Sequence, residues 1–262
     1  MIAARRSPVL RAFFDRYVTR YVRRRFHRLL LWPAPELPGV GAGPLIFAMS
    51  HASWWDVLVG YVLARRLVDR ASYAPMDEAQ LARYRVLARL GVYSVDRGSV
   101  AGVREFLAYT TARLREGAAI WITPQGEITP HWRRPVRFQQ GLGRLVAAVP
   151  GVAVVPVAGA YEFLDEPRPE ILVKLGAPRV FERGAAPREI TRTLEHAIET
   201  ELDAVRDAIV ARDLTRFATV IAGRTSTSVV YDVVRGLRAS LTGRPDPARH
   251  GDVVSDPRRL AR

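Results

Sequence analysis

The sequence predicts an α/β fold: a mostly parallel sheet with helices on its faces. Short apolar runs recur along the chain, and segments of helical length separate them. At 262 residues and 48% hydrophobic content, the chain is long enough to bury one full core but not two. In sheets of this class ligands bind beyond the carboxyl ends of the strands, so the residues that follow each strand are the candidates for function.

The alternation can be followed from residue 45 onward. The predicted strands are 45–49, 71–74, 92–95, 118–122, 152–157 and 171–175. The predicted helices are 54–68, 76–90, 99–116 and 141–149, with Ser99 as an N-cap. C-terminal helices are predicted for 187–222 and 229–241. The last residues, 242–262, are rich in Pro, Gly, Arg and Asp and are predicted to form a disordered basic tail.

The N-terminal segment differs in composition from the rest. Apolar residues, many of them aromatic, recur at three- and four-residue spacing from 9 to 32, and arginines fill the positions between them. This pattern is typical of a helix that lies in a lipid headgroup layer, so we predict a membrane-surface helix in 1–36 and the α/β domain with its C-terminal helices in 37–241. The alternative is an ordinary helix that packs on its own domain and leaves a basic face in water.

The charge balance favours an anionic partner. The formal net charge is +14 and the sequence pI is about 11.0, so phosphate-bearing lipids, nucleotides and nucleic acids would all be attracted. No RNP-like strand, zinc-ligand spacing or recognition-helix motif is present, which argues against nucleic acid. The absence of cysteine excludes disulfides, thiolate catalysis and Cys-ligated metals. Because no run of about 20 unbroken apolar residues occurs, we expect a soluble or peripheral protein.

A histidine and an aspartate follow the first predicted strand at a spacing of five, His51 and Asp56. On one continuous helix they would lie on different faces, so they can meet only if His51 lies in the loop and Asp56 in the first helical turn. His51 would then be a general base whose tautomer is fixed by Asp56. Two structural interpretations compete. Ser53 and Asp56 also match a capping box, and His51 could be an ordinary buried histidine.

This pair resembles the His-x-x-x-x-Asp motif of the glycerolipid acyltransferase family, which includes the lysophosphatidic-acid acyltransferases. Later segments resemble the family's other three motifs in the same order, and the resemblance covers residues 44–176. The residues of interest in these segments are Arg97 and Gly98 in the second, Gln125, Gly126 and Glu127 in the third, and Pro156 in the fourth. The resemblance implies that Arg97 binds an acceptor phosphate, and its place before a predicted helix suits an anion.

The third segment departs from the family motif Phe-Pro-Glu-Gly-Thr-Arg-Ser. Only the proline and the glycine are retained; Gln125 replaces the acid implicated in acceptor binding, and Ile128 replaces an arginine. An amide can hydrogen-bond a hydroxyl but carries no charge. Glu127 is the candidate to replace the missing acid. A glycolipid or another sugar hydroxyl therefore fits Gln125 better than lysophosphatidic acid does.

The resemblance implies an O-acyltransferase of phospholipid biosynthesis, which moves a fatty acyl group from acyl-CoA or acyl carrier protein to a lysophospholipid or glycolipid hydroxyl. It implies no metal and no cofactor other than the acyl donor. With the basic N-terminus, it suggests a peripheral protein on the cytoplasmic face of the cell membrane, bound to anionic lipid. The competing class is a non-catalytic lipid-binding module on the same fold.

Two further surfaces are expected around the site. A hydrophobic groove should hold the acyl chain, and a basic rim should face the headgroups, although core packing and solvated charge are the respective alternatives. The groove candidates are Trp54, Trp55, Trp121 and Trp132, and the rim candidates are His131, Arg133, Arg134 and Arg137.

Overall fold

The computed structural model describes residues 1–33 and 43–223, and the α/β class predicted from the sequence is confirmed. The strands are β1 (Arg28–Trp32), β2 (Leu45–Met49), β3 (Ser72–Asp77), β4 (Val92–Val95), β5 (Ala119–Ile122), β6 (Ala153–Glu162), β7 (Glu170–Leu175) and β8 (Ala218–Ala222). The α-helices are α1 (Pro8–Arg25), α2 (Asp56–Leu67), α3 (Glu78–Arg83), α4 (Val100–Arg115), α5 (Gly141–Ala148) and α6 (Pro187–Val210). A 3₁₀ helix, Arg85–Leu90, follows α3, so the single helix predicted for 76–90 is divided at Tyr84.

All eight strands belong to one sheet, in the order β4-β3-β5-β2-β6-β7-β1-β8. The pairs from β4 to β6 are parallel, as is the pair of β1 and β7, whereas β6 with β7 and β1 with β8 are antiparallel. The carboxyl ends of β2, β5 and β6 therefore lie on the same edge of the sheet as the amino ends of β7 and β1. The loops that follow β2, β4 and β5 all emerge at this edge.

The N-terminal helix is shorter than predicted. Ser7 caps α1, Pro8 is its first residue, and the chain becomes extended at Phe26. The prediction of helix as far as 32 is wrong, because residues 28–32 form β1 beside β7. Leu29, Leu30 and Leu31 are all buried. Consecutive leucines suit a strand that is covered on both faces, although they also continue the three- and four-residue spacing of apolar residues in α1.

The surface of α1 has two apolar stripes. Val18 and Val22 face the core, whereas Val9, Phe13 and Tyr17 point outward, and Phe13 is 68% exposed. The helix therefore packs on its own domain, as the alternative interpretation holds, and still presents an apolar outer stripe at four-residue spacing. None of the helices in the described ranges is long and apolar enough to cross a membrane.

The C-terminal part of the described chain also differs from the prediction. The helix expected over 187–222 ends at Val210, and Ala218–Ala222 add an antiparallel edge strand beside β1. Arg212 has a φ of 52°, which a continuing right-handed helix does not allow. The predicted helix 229–241 and the predicted tail 242–262 lie outside the described residues, as do the predicted boundaries at 36 and 241.

The core has one apolar layer on each face of the sheet. Side chains of α1 and α2 cover one face, and those of α4, α5 and α6 cover the other. The central strand β2 is buried along its whole length, as expected for a parallel strand between two helical layers. The polar residues at the carboxyl edge are where a ligand of such a sheet binds.

Candidate active site

His51 and Asp56 meet at the carboxyl end of β2. The strand ends at Met49, His51 lies in the following loop, and Asp56 is the first residue of α2. The His51 Nδ1 atom lies 2.9 Å from Asp56 Oδ2. The histidine side chain is 16% exposed, whereas Asp56 is 1% exposed. A strand, a short loop and a helix thus bring the two residues together in the arrangement that their spacing requires.

The buried carboxylate of Asp56 accepts three further hydrogen bonds. Oδ2 accepts the backbone N–H groups of Ala52 at 2.7 Å and Ser53 at 2.8 Å. The capping-box interpretation is therefore partly correct, although the Ser53 hydroxyl accepts from the N–H of Trp55 and not from that of Asp56. Because Oδ2 acts as the acceptor for these groups, the geometry favours the neutral tautomer of His51 that donates to Oδ2 through Nδ1 and has no proton on Nε2.

Tyr161, near the end of β6, supplies the third of these hydrogen bonds and was not predicted. Its hydroxyl donates to Asp56 Oδ1 at 2.5 Å. Burial, followed by the charge of Asp56 and the hydrogen bond to it, raises the pKa of Tyr161 well above its usual value. Tyr161 lies 105 positions from Asp56. No local pattern marks it, and only the pairing of β6 with β2 brings it to the site.

The third motif segment holds the backbone of His51. The Gln125 side-chain oxygen accepts the His51 N–H at 2.7 Å, and the N–H of Thr129 donates to the His51 carbonyl at 2.7 Å. Gln125 is buried, and its amide oxygen is engaged by the backbone of the His51 loop. Glu127, expected to replace the missing acid, is exposed and has no hydrogen bond within the described ranges. Pro156 lies in β6 opposite Ala48.

Arg97 lies across the third motif. Its Nη1 donates to the Gly126 carbonyl at 2.5 Å, and Nη2 lies 3.8 Å from Asp77 Oδ2. Gly126 has a φ of +76°, and a Cβ there would lie 2.7 Å from Arg97 Nη1, so a glycine is required. The arginine is half-exposed. It is fixed at one nitrogen and retains other N–H groups for an anion.

The turn before α4 is fixed by Asp96. Its carboxylate accepts the Ser99 hydroxyl and the Gly98 N–H, and both bonds hold the pKa of Asp96 below its usual value. Ser99 in turn accepts the N–H of Gly102, which confirms it as the N-cap of α4. Gly98 is therefore part of the turn that orients Arg97.

An apolar cavity of about 120 Å³ begins beside Asp56. It lies between α2, β3 and β5, under the first turns of α1, and its wall includes Met49, Tyr61, Ala74 and Leu90. Of the four tryptophans expected to line a groove, only Trp121 lines this cavity. Trp54 is 59% exposed at the surface, Trp55 packs against Phe26 and Tyr21, and Trp132 lies on the rim.

The expected basic rim is largely neutralised by acidic partners. His131 Nε2 lies 3.0 Å from Glu162, Arg134 lies 2.8 Å from Asp203, and Arg137 lies 3.6 Å from Glu195. Arg133 is exposed and has no carboxylate partner among residues 1–33 and 43–223. Three of the four rim candidates therefore have a carboxylate partner, because α6 and the end of β6 present carboxylates to this loop.

The fold and this arrangement of side chains define an acyltransferase, and comparison with known proteins agrees. Residues 19–159, more than half of the chain, match the family described as Acyltransferase, and the chain belongs to that family. This confirms the family and the O-acyltransferase class predicted from the motifs. No curated protein matches the sequence.

Comparison with solved structures shows the same fold in a known enzyme. The crystal structure of the 1-acyl-sn-glycerophosphate (LPA) acyltransferase PlsC from Thermotoga maritima superposes with a TM-score of 0.51. The match has 15% sequence identity and covers 74% of this chain and 81% of that chain. At 15% identity, this likeness shows a shared fold and nothing beyond it.

The Tyr161 hydroxyl can be tested by deleting it. Tyr161→Phe should lower the free energy of unfolding by about 1.5–3 kcal/mol, because a buried carboxylate loses a donor. Tyr93→Phe is the matched control, since that buried hydroxyl bonds the neutral Thr110 at 2.7 Å, and its loss should be about 0.5–1.5 kcal/mol. Urea unfolding of both variants measures the difference. Equal losses would mean that Asp56 does not depend on Tyr161.

Proposed function

We propose that this protein transfers a fatty acyl group from an acyl thioester to the hydroxyl of a lipid acceptor, with His51 as general base. The observation that carries the proposal is the bond from His51 Nδ1 to the buried Asp56 carboxylate. That bond leaves Nε2 as the basic nitrogen of a partly exposed ring. A neutral imidazole whose other nitrogen donates to a carboxylate is suited to accept a proton from an alcohol.

The reaction needs no protein-bound intermediate. Nε2 of His51 takes the proton of the acceptor hydroxyl while its oxygen attacks the thioester carbonyl carbon, so that a C–O bond forms. The tetrahedral intermediate then collapses, the C–S bond breaks, and the imidazolium returns the proton to the departing sulfur as a thiol. Asp56 stabilises the imidazolium between the two steps. The chain has no cysteine to form an acyl-enzyme.

The apolar cavity beside Asp56 is suited to the acyl chain. Its wall follows α2 from Asp56 to Arg65, nine helical steps or about 13 Å. An acyl chain can lie along this side of α2 with its thioester at the Asp56 end. Acyl-CoA and acyl carrier protein are both consistent with a thioester at this position.

Arg97 is suited to place a phosphate of the acceptor or the donor. It stands before α4, where the helix dipole and free backbone N–H groups favour an anion. Its bond to the Gly126 carbonyl ties this anion position to the segment that holds His51. A phosphate bound there would lie close to the reacting hydroxyl.

We also propose that the outer face of α1 binds anionic lipid at the cytoplasmic face of the membrane. Val9, Phe13 and Tyr17 form an exposed apolar stripe, and the exposed arginines of the same helix are Arg16, Arg20, Arg23, Arg24 and Arg25. Apolar side chains between cations favour the interface of an anionic bilayer. Tyr21, Trp55 and Trp54 connect this stripe to the His51 loop through ring contacts.

The catalytic role of His51 is tested by thiol release. The protein, incubated with acyl-CoA or acyl carrier protein thioester and a panel of lipid acceptors, should release thiol, and His51→Ala should lower kcat by about 10²- to 10⁴-fold. His196→Ala, an exposed histidine on α6, is the control and should retain activity. Thiol release that survives His51→Ala, or none with any acceptor, would favour the non-catalytic lipid-binding module.

Membrane binding is tested by vesicle flotation. The double variant Phe13→Ser and Tyr17→Ser leaves the charge unchanged and should bind anionic vesicles several-fold more weakly, since about 25 cal/mol is lost per Å² of apolar surface no longer buried. Val180→Ser removes an exposed apolar side chain elsewhere and serves as the control. Unchanged binding of the double variant would show that α1 does not contact the bilayer through this stripe.

A further inference from the structure

Three side chains on the rim of the site form a cluster that the acyl-transfer mechanism does not use. The Glu162 Oε1 atom accepts the indole N–H of Trp132 at 3.1 Å and lies 3.0 Å from His131 Nε2. The rings of His131 and Trp132 meet edge to face, with centroids 4.3 Å apart. We call these residues the His131–Trp132–Glu162 cluster.

The cluster lies next to the catalytic pair through two separate connections. Thr129 donates its N–H to the His51 carbonyl. His131 follows Thr129 by two residues, so the Cα atoms of Thr129 and His131 are at most about 7 Å apart. Glu162 directly follows Tyr161, whose hydroxyl bonds Asp56. Both connections place the cluster on segments that also hold the His51–Asp56 pair.

The segment that carries the cluster is held in place. Arg134 Nη1 donates to the carbonyls of His131 and Arg133, and its Nη2 donates to Asp203 on α6. The N–H of Val136 donates to Glu199 at 2.6 Å. Anchored backbone on both sides fixes the direction of the Trp132 ring, so a ligand would meet a preorganised surface.

The chemistry of the cluster fits a polyol. Trp132 is 37% exposed although its N–H is engaged, so part of the ring remains open to a ligand. The second oxygen of Glu162 has no hydrogen bond within the described ranges, and the side chain is 28% exposed. An open aromatic ring accepts the C–H face of a sugar, and a neighbouring carboxylate oxygen accepts hydroxyl donors. The negative charge repels phosphate, which Arg97 is better placed to bind.

We infer that the acceptor carries a sugar or similar polyol ring in its headgroup. The ring stacks on Trp132, one hydroxyl donates to Glu162, and a neighbouring hydroxyl reaches His51. This inference rests on the proposed acyl transfer and assigns its acceptor class. It makes Trp132 and Glu162 determinants of acceptor specificity.

The test compares two acceptors, an alkyl β-glucoside and a lysophosphatidic acid of equal chain length, with the full chain and an acyl-CoA donor. Trp132→Leu should raise KM for the glucoside about 3- to 10-fold and change kcat little, with no change in either constant for lysophosphatidic acid. Trp132→Phe keeps an aromatic face and should restore most of the KM. Glu162→Gln should lower kcat/KM for the glucoside relative to lysophosphatidic acid. Tyr84→Leu, at an exposed aromatic residue between α3 and the 3₁₀ helix, is the control.

Each result bears on a different statement. Turnover of lysophosphatidic acid but not of the glucoside would overturn the polyol inference and leave the acyl transfer standing. Equal effects of Trp132→Leu on both acceptors would likewise overturn it, because a loss of structure does not distinguish headgroups. Thiol release with neither acceptor would count against the proposed transfer itself. A KM effect confined to the glucoside and rescued by Trp132→Phe supports the inference.

Discussion

The buried carboxylate of Asp56 constrains the whole site. A charge removed from water costs several kcal/mol unless it is hydrogen-bonded on all sides. Here two backbone N–H groups of the preceding loop, the Tyr161 hydroxyl and the His51 ring surround it. The loop can satisfy the carboxylate only by folding back over the first turn of α2, and that conformation presents the imidazole at the edge of the sheet.

The sheet then determines which other residues reach this carboxylate and its histidine. Because β2 and β5 are parallel neighbours, the segment after β5 lies beside the loop after β2, and Gln125 and Thr129 bond the His51 backbone. On the other side, β6 extends beyond the end of β2 and brings Tyr161 to Asp56. The donors come from separate parts of the chain, so the pair is held by the fold as a whole.

The central strands and the contact between His51 and Asp56 could be predicted from the sequence because both depend on local patterns. A short apolar run such as Leu45–Met49 is typical of a buried strand. The His51–Asp56 spacing lets the two side chains meet only when His51 lies in a loop and Asp56 in the first turn of the helix. The structure near the ends of the described chain was harder to predict from the sequence. Leu29, Leu30 and Leu31 continue the helical spacing of apolar residues in α1, yet they form a strand because they pair with β7 in the sheet. Tyr161, Glu162 and the engagement of Gln125 depend on tertiary contacts that no local window contains.

The hydrogen bond of Gln125 also changes the interpretation of the altered third motif. With its oxygen on the His51 N–H, Gln125 holds the backbone of His51, and the acid-to-amide change does not by itself identify the acceptor. Under the proposed function, the exposed groups around the pair would recognise the acceptor, with Arg97 for a phosphate and Trp132 with Glu162 for a polyol.

The tautomer of His51 tests the account most directly. With only five histidines in the chain, ¹⁵N NMR of the imidazole nitrogens can be assigned by comparison with a His51 variant. We expect the neutral ring of His51 to carry its proton on Nδ1, with Nε2 bare, and expect Asp56→Asn to abolish that preference. A proton on Nε2 in the unaltered protein would contradict the account, because that nitrogen could not then accept the proton of an alcohol.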